Sequence, residues 1–310
     1  MVKGRFAPSP SGRMHLGNLC TALLAWLSVR KQEGVMLLRM EDLDPDRCGE
    51  EYAVQVAKDL EWLGLDWDEG YGVGGSNGPY VQSERGEIYA AAFRSLEEKG
   101  LIYPCYCTRA ERLAASAPHG TEGEAVYSGL CRRRSGEELA ELARTRSPAY
   151  RIQVPSREIF WTDGLHGSCR EELRAQCGDF ILRRSDGVYA YQLAVTVDDG
   201  EMGVTEVVRG RDLLSSTARQ IWLLEELGFD PPAYTHVPLL LAPDGRRLSK
   251  RDGDMDLSVL RQRHTPQSLT GLLAFLAGLL PRPEPVHPRE LIPDFSWEKV
   301  KKDGIVVTRS

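Results

Sequence analysis

The first forty residues leave few folds open to this chain. Residues 2–7 read as a short strand, broken by Pro8-Ser9-Pro10-Ser11-Gly12. A helical pattern follows from Asn18, with Leu19, Leu23, Trp26 and Leu27 on one side. It ends in Arg30 and Lys31, with Gly34 placed to cap it. Val35-Met36-Leu37-Leu38 then reads as a strand buried on both faces, reaching Glu41-Asp42 at its C-terminal end. Strands joined through a helix pair in parallel, because the helix carries the chain back to the end where the first strand began. Further helices are predicted over residues 50–63 and 83–99, the second closed by Gly100. The expectation is an α/β protein with a doubly wound parallel sheet.

The alternation lapses between residue 101 and about residue 184, where cysteines cluster, residues 114–125 are rich in Gly, Ala, Pro and His, and short segments are rich in Arg. It resumes near residues 189–197 and 205–208, followed by a helix over about 216–227 and a strand at 237–241. The turn Pro243-Asp244-Gly245 and a basic loop come next, and the last sixty or so residues hold one convincing helix, near 269–280. These shifts divide the chain into a first half of the sheet (1–100), an insertion (101–188), a second half (189–245) and a basic loop with a short C-terminal segment (246–310).

A net charge of −6 argues against a surface coated for non-specific nucleic-acid binding, leaving Arg132-Arg133-Arg134 as a local basic patch or a solvated surface. No run of about 18 apolar residues is present. Met1-Val2-Lys3-Gly4-Arg5 enters a Pro/Ser-rich loop instead of an apolar leader, so a cytoplasmic, membrane-free monomer is expected. Seven cysteines without a secretory signal point to free thiols and a metal site, not to a disulfide framework.

Two segments carry nucleotide chemistry. Arg5 to Asn18 follows a strand and opens a helix, where free N–H groups and the helix dipole favour phosphate, and His15 can donate to phosphate oxygens. Arg246-Arg247-Leu248-Ser249-Lys250-Arg251 follows a turn, and Lys250 can neutralise charge on a leaving pyrophosphate. Each alone also reads as a turn or a solvated loop, but both fall at the C-terminal edge of a parallel sheet, where such sheets bind ligands. Cys105, Cys107 and Cys131 fall within 27 positions and suggest structural zinc, which takes four ligands. Residue chemistry nominates His119 as the fourth, since tyrosine, with a pKa of about 10, seldom ligates.

His15-Leu16-Gly17-Asn18 resembles the His-Ile-Gly-His signature of class I aminoacyl-tRNA synthetases, and Arg247-Leu248-Ser249-Lys250-Arg251 resembles their Lys-Met-Ser-Lys-Ser signature. Arg5-Phe6-Ala7-Pro8-Ser9-Pro10-Ser11-Gly12 narrows the resemblance to the glutamyl type. Tyr191-Gln192-Leu193-Ala194-Val195, Val197-Asp198-Asp199 and Arg209-Gly210-Arg211-Asp212 fit the same subgroup. Asn18 stands for the second His and Arg247 for the first Lys, both keeping hydrogen bonding or charge. The resemblance runs from Arg5 to about Asp252 and implies a class I, Rossmann-like core with a zinc-bearing, acceptor-type insertion.

By the same resemblance, His15 and Lys250 are catalytic, and ATP is held by His15, Gly17, Asn18, Ser249 and Lys250. L-Glutamate is held by Arg5, Phe6, Ala7, Pro8, Ser9, Tyr191 and Arg209, with Glu41 receiving its ammonium group. Arginine suits this role because its planar fork grips a carboxylate bidentately. Cys-x-Cys followed by Tyr-x-x-x-Cys is similar to the zinc site of glutamyl-Q tRNA(Asp) synthetases, in which Tyr is the fourth ligand. That resemblance implies Cys105, Cys107, Tyr127 and Cys131, while the longer intervening loop keeps His119 open.

The expected reaction uses ATP with Mg²⁺ to form a glutamyl adenylate. Only 59 residues follow Arg251, where a full glutamyl-tRNA synthetase continues into helical anticodon-binding domains. The expected acceptor is therefore the queuosine base in the anticodon of tRNA(Asp). The alternatives are a truncated synthetase charging the 3′ end of tRNA(Glu), and a non-catalytic zinc-containing RNA-binding paralogue.

Overall fold

The computed structural model describes residues 1–108, 126–246, 248 and 256–307. Strand β1 (Lys3–Phe6) pairs in parallel with β2 (Val35–Leu38) through the crossover helix α1 (Leu16–Lys31). Helix α1 is buried nearly all round because it is pressed between the sheet and α8 (Pro266–Ala277), which explains its mostly apolar surface. Gly34 does not supply the left-handed cap expected of it. Glu33 takes that conformation (φ 52°), while Gly34 is required because a Cβ there would lie 2.6 Å from the Val2 carbonyl oxygen.

The central sheet has seven strands in the order β3-β2-β1-β9-β10-β6-β7, where β3 is Glu69–Gly70, β6 Glu158–Asp163, β7 Gly167–Glu172, β9 Glu206–Gly210 and β10 Ala233–Val237. Neighbours are parallel except in the β6–β7 hairpin. One apolar core lies under α1, α2 (Glu50–Leu63) and α8. The other lies under α3 (Gly86–Glu98), α5 (Tyr191–Glu201) and α6 (Thr217–Leu227). The chain turns to opposite sides of β1 through β2 and β9, so a switch point opens above their C-terminal ends.

The stretch 101–188 contributes to two sheets. Strands β4 (Ile102–Cys105), β5 (Ala149–Ile152) and β8 (Phe180–Arg183) form an antiparallel sheet of their own, with helix α4 (Gly136–Ala143) between β4 and β5 in sequence. The β6–β7 hairpin, between β5 and β8 in sequence, extends the central sheet through the pairing Tyr234↔Asp163. The strand expected at 237–241 is misplaced, since the central-sheet strand β10 runs over Ala233–Val237 and shares only Val237 with it. The C-terminal part of the expected stretch, β11 (Leu240–Leu241), pairs with β12 (Ile305–Val306), since Pro238 cannot donate to a ladder. Among its described residues the C-terminal segment holds three α-helices where one was expected: α7 (Leu257–Arg263), α8 and α9 (Pro288–Leu291). Helix α8 begins three residues early because Thr265 caps it and Pro266 suits its first turn.

Glu171 on β7 is buried, and burial pushes its carboxyl up to about 6 against the opposing pull of Arg219. A raised carboxyl pKa stabilises the fold below the ordinary value and loses that contribution as pH rises through the folded value. Glu171→Gln should therefore raise the melting temperature at about pH 8 by roughly 2–4 °C and leave it unchanged near pH 4.5. Thermal melts at the two pH values check this.

Candidate active site

Above the switch point lies a cleft of about 460 Å³. Arg5, Phe6, Ala7, Pro8, Ser9, Glu41, Tyr191 and Arg209 line it together, as do His15, Gly17 and Asn18. The structure thus assembles every described residue nominated from the sequence for the amino acid and the nucleotide. Ser249 and Lys250 lie outside the described residues, as do Arg247, Arg251, Asp252 and His119. Leu248 is described and lines the cleft, with its N–H donating to the Leu240 carbonyl at 2.9 Å. Past the basic loop, Asp256 forms a backbone bridge with His15. Both flanks of that loop are therefore held against the cleft.

His15 caps α1. Its Nδ1 accepts from the Gly17 N–H at 3.1 Å, so in the neutral ring the proton sits on Nε2. Asn18 completes the cap by accepting from the His15 N–H at 3.3 Å, which shows how asparagine serves at this position. The positive end of the α1 dipole adds potential on the same side.

The other half of the cleft holds two buried groups with unequal partners. Glu41 accepts from Arg39 Nη2 at 2.9 Å through Oε1, its one side-chain hydrogen bond among the described residues. Burial raises its carboxyl pKa in spite of Arg39 and Arg5, so the site favours an added cation. Arg209 is 4% exposed, and among the described residues no carboxylate lies within ion-pair distance of it. Arg5 differs, its Nε pairing with Asp199 at 3.4 Å and its Nη1 donating to the Val208 carbonyl at 3.3 Å. A cleft short of one cation and one anion fits a zwitterion, and the second arginine provides for a further carboxylate.

Behind the cleft, fully buried Arg39 bridges Glu41, Asp199 (2.9 Å) and Asp198 (3.5 Å). Asp198 also accepts from Arg85 Nε at 2.6 Å, Gln82 Nε2 at 2.7 Å and the Tyr89 hydroxyl at 3.0 Å. Sequence reasoning gave Arg39, Gln82, Arg85 and Tyr89 no role. Arg39 carried a readable signal, a charge inside the apolar run Val35 to Met40, which requires a buried counter-charge.

The cysteine cluster forms a separate small core with Tyr106 and Tyr127. The sulfurs of Cys105, Cys107 and Cys131 lie within 4.8 Å of one another. The Tyr127 hydroxyl sits 3.5 Å from Cys105 Sγ and 3.2 Å from Cys107 Sγ, and accepts from the Cys131 N–H at 3.0 Å. Ligands around a tetrahedral zinc with bonds of about 2.3 Å stand about 3.8 Å apart, so this donor set fits one ion with modest expansion. Cationic Arg151 donates to Cys105 Sγ at 3.3 Å and lies 3.8 Å over the Tyr127 ring, where it offsets thiolate charge.

A split parallel sheet with a nucleotide-type loop at its switch point defines a catalytic domain of the class I synthetase type. Residues 1–292 match the family model of tRNA synthetases class I (E and Q), catalytic domain, and the chain belongs to that family. It is 51% identical to Glutamyl-Q tRNA(Asp) synthetase of Symbiobacterium thermophilum, covering 98% of this chain and 95% of that protein. It is 50% identical to the protein of the same name from Nitratidesulfovibrio vulgaris, covering 94% and 91%. Among solved structures it resembles a glutamate tRNA ligase from Elizabethkingia meningosepticum in complex with its amino acid, at a TM-score of 0.83 and 30% identity. That match covers 99% of this chain and 67% of the other.

Proposed function

We propose that this chain activates L-glutamate with ATP and transfers it to the queuosine base in the anticodon of tRNA(Asp). The observation that carries the amino-acid half is Arg209, a buried cation without an acidic partner among the described residues, in one cleft with cation-seeking Glu41. Glutamate supplies what both lack: Glu41 takes the ammonium, and Arg5 and Arg209 take carboxylate. The acceptor half rests on the relatives at about half identity, both named for that reaction.

In the first step a glutamate α-carboxylate oxygen forms a bond to the α-phosphorus of ATP, and the bond to the bridging oxygen breaks to release pyrophosphate. The site contributes alignment and charge stabilisation. His15 Nε2–H and the start of α1 face the phosphates, and Lys250 is assigned to the charge on the leaving group. Mg²⁺ arrives with ATP. In the second step a cyclopentene hydroxyl of queuosine attacks the adenylate carbonyl and AMP leaves. Zinc, held by Cys105, Cys107, Tyr127 and Cys131, is structural and takes no part in either step. Stretch 101–188 is assigned as the acceptor-type insertion.

The test offers labelled glutamate and ATP with tRNA(Asp) from queuosine-containing and queuosine-lacking cells. Label should enter only the queuosine-containing tRNA, and ATP–pyrophosphate exchange should proceed without tRNA. Equal labelling of both, or labelling of tRNA(Glu) alone, overturns the acceptor assignment.

A further inference from the structure

Arg209 is oriented by three hydrogen bonds, none to an acid. Its Nε donates to His236 Nε2 at 3.0 Å, Nη1 to Gln220 Oε1 at 2.6 Å and Nη2 to Thr217 Oγ1 at 3.0 Å. Neighbouring strands bring this about, since Arg209 on β9 stands in register with His236 on β10. Thr217 and Gln220, one helical turn apart on α6, face the same side.

Each acceptor is itself held. Because His236 Nε2 accepts from Arg209, the ring proton lies on Nδ1, where Asp163 Oδ2 receives it at 2.5 Å. Asp163 Oδ1 in turn accepts the N–H groups of Leu165 and His166, each at 3.0 Å. Gln220 Nε2 donates to Gln192 Oε1 at 2.8 Å, which turns the Gln220 carbonyl oxygen toward Arg209.

We propose that His236, Gln220 and Thr217 form a specificity-determining layer that fixes the Arg209 guanidinium without neutralising it, with Asp163 and Gln192 holding the layer in place. A carboxylate in any of those three positions would orient Arg209 equally well but satisfy its charge before substrate arrived. With neutral acceptors the buried cation is completed only by an anionic ligand, so an amide in place of the carboxylate leaves it uncompensated. This inference rests on the glutamate reading above.

The test measures ATP–pyrophosphate exchange with glutamate and with glutamine for the parent, Gln220→Glu and Gln220→Met. Gln220→Glu should raise KM for glutamate at least about tenfold, with a smaller change in kcat, and lower the glutamate-to-glutamine preference by a similar factor. Gln220→Met removes the hydrogen bond but adds no charge, so it should keep the preference even where activity falls. Thr217→Asp presents a carboxylate to Nη2 instead and should repeat the Gln220→Glu result, which covers a folding failure of either acidic variant. An acidic variant that folds with parental KM and preference overturns the proposal, and so does Gln220→Met losing preference as far as Gln220→Glu. A parent enzyme that does not exchange with glutamate refutes the function proposed above instead.

Discussion

Arg209→Met should remove glutamate activation almost completely while leaving the protein folded. Truncating one partner of a buried, hydrogen-bonded charge pair costs about 2–5 kcal/mol, and here the other partner is the substrate. In kcat/KM this corresponds to a loss of roughly 30-fold to several thousand-fold, read by ATP–pyrophosphate exchange. Stability should respond differently. The unliganded protein carries Arg209 as a buried cation without an acidic partner among the described residues, so replacing it by an apolar chain of similar length removes an unfavourable charge. Loss of donors to His236 and Gln220 offsets part of that gain, and the melting temperature should stay close to the parent's. Arg5→Met is the comparison, because Asp199 keeps its 2.9 Å pair with Arg39 when Arg5 is removed. Exchange within threefold of the parent in Arg209→Met would show that the cleft does not select its amino acid through this charge.

The cleft was legible in the sequence because its residues sit at strand ends. Arg5 lies on β1, Glu41 just past β2 and Arg209 on β9, and a parallel sheet brings the C-terminal ends of neighbouring strands together whatever their separation along the chain. The partners of each group were not legible. His236 occurs in Ala233–Val237, a strand that lies ahead of the one expected at 237–241, and its tautomer depends on Asp163, 73 residues earlier. The pairing arises because the β6–β7 hairpin leaves the inserted stretch and joins the central sheet, and no local pattern announces that docking. Gly34 shows the same limit on a small scale. Its position after a helix suggested a cap, whereas its need for glycine comes from the approach of Val2.

Cys131→Ser should empty the zinc site and loosen the fold around it. The cluster of Cys105, Tyr106, Tyr127 and Cys131 is too small a core to hold its segments by apolar burial alone. In small zinc modules the ion contributes about 10–16 kcal/mol of apparent folding free energy. Part of that should be retained here, because β4, β5 and β8 have their own ladder, so the expected result is local opening and not global unfolding. The parent should carry one zinc per chain and Cys131→Ser none, by elemental analysis, with faster proteolysis confined to the stretch 101–188. The fourth ligand is decided by two further variants. Tyr127→Phe should lose most of its zinc, because the oxygen removed lies 3.2–3.5 Å from two of the sulfurs and already accepts the Cys131 N–H. His119→Ala should keep its zinc. Loss only in His119→Ala, with Tyr127→Phe unaffected, would transfer the fourth position to His119, and full zinc in Cys131→Ser would show that the three thiols pack together without a metal.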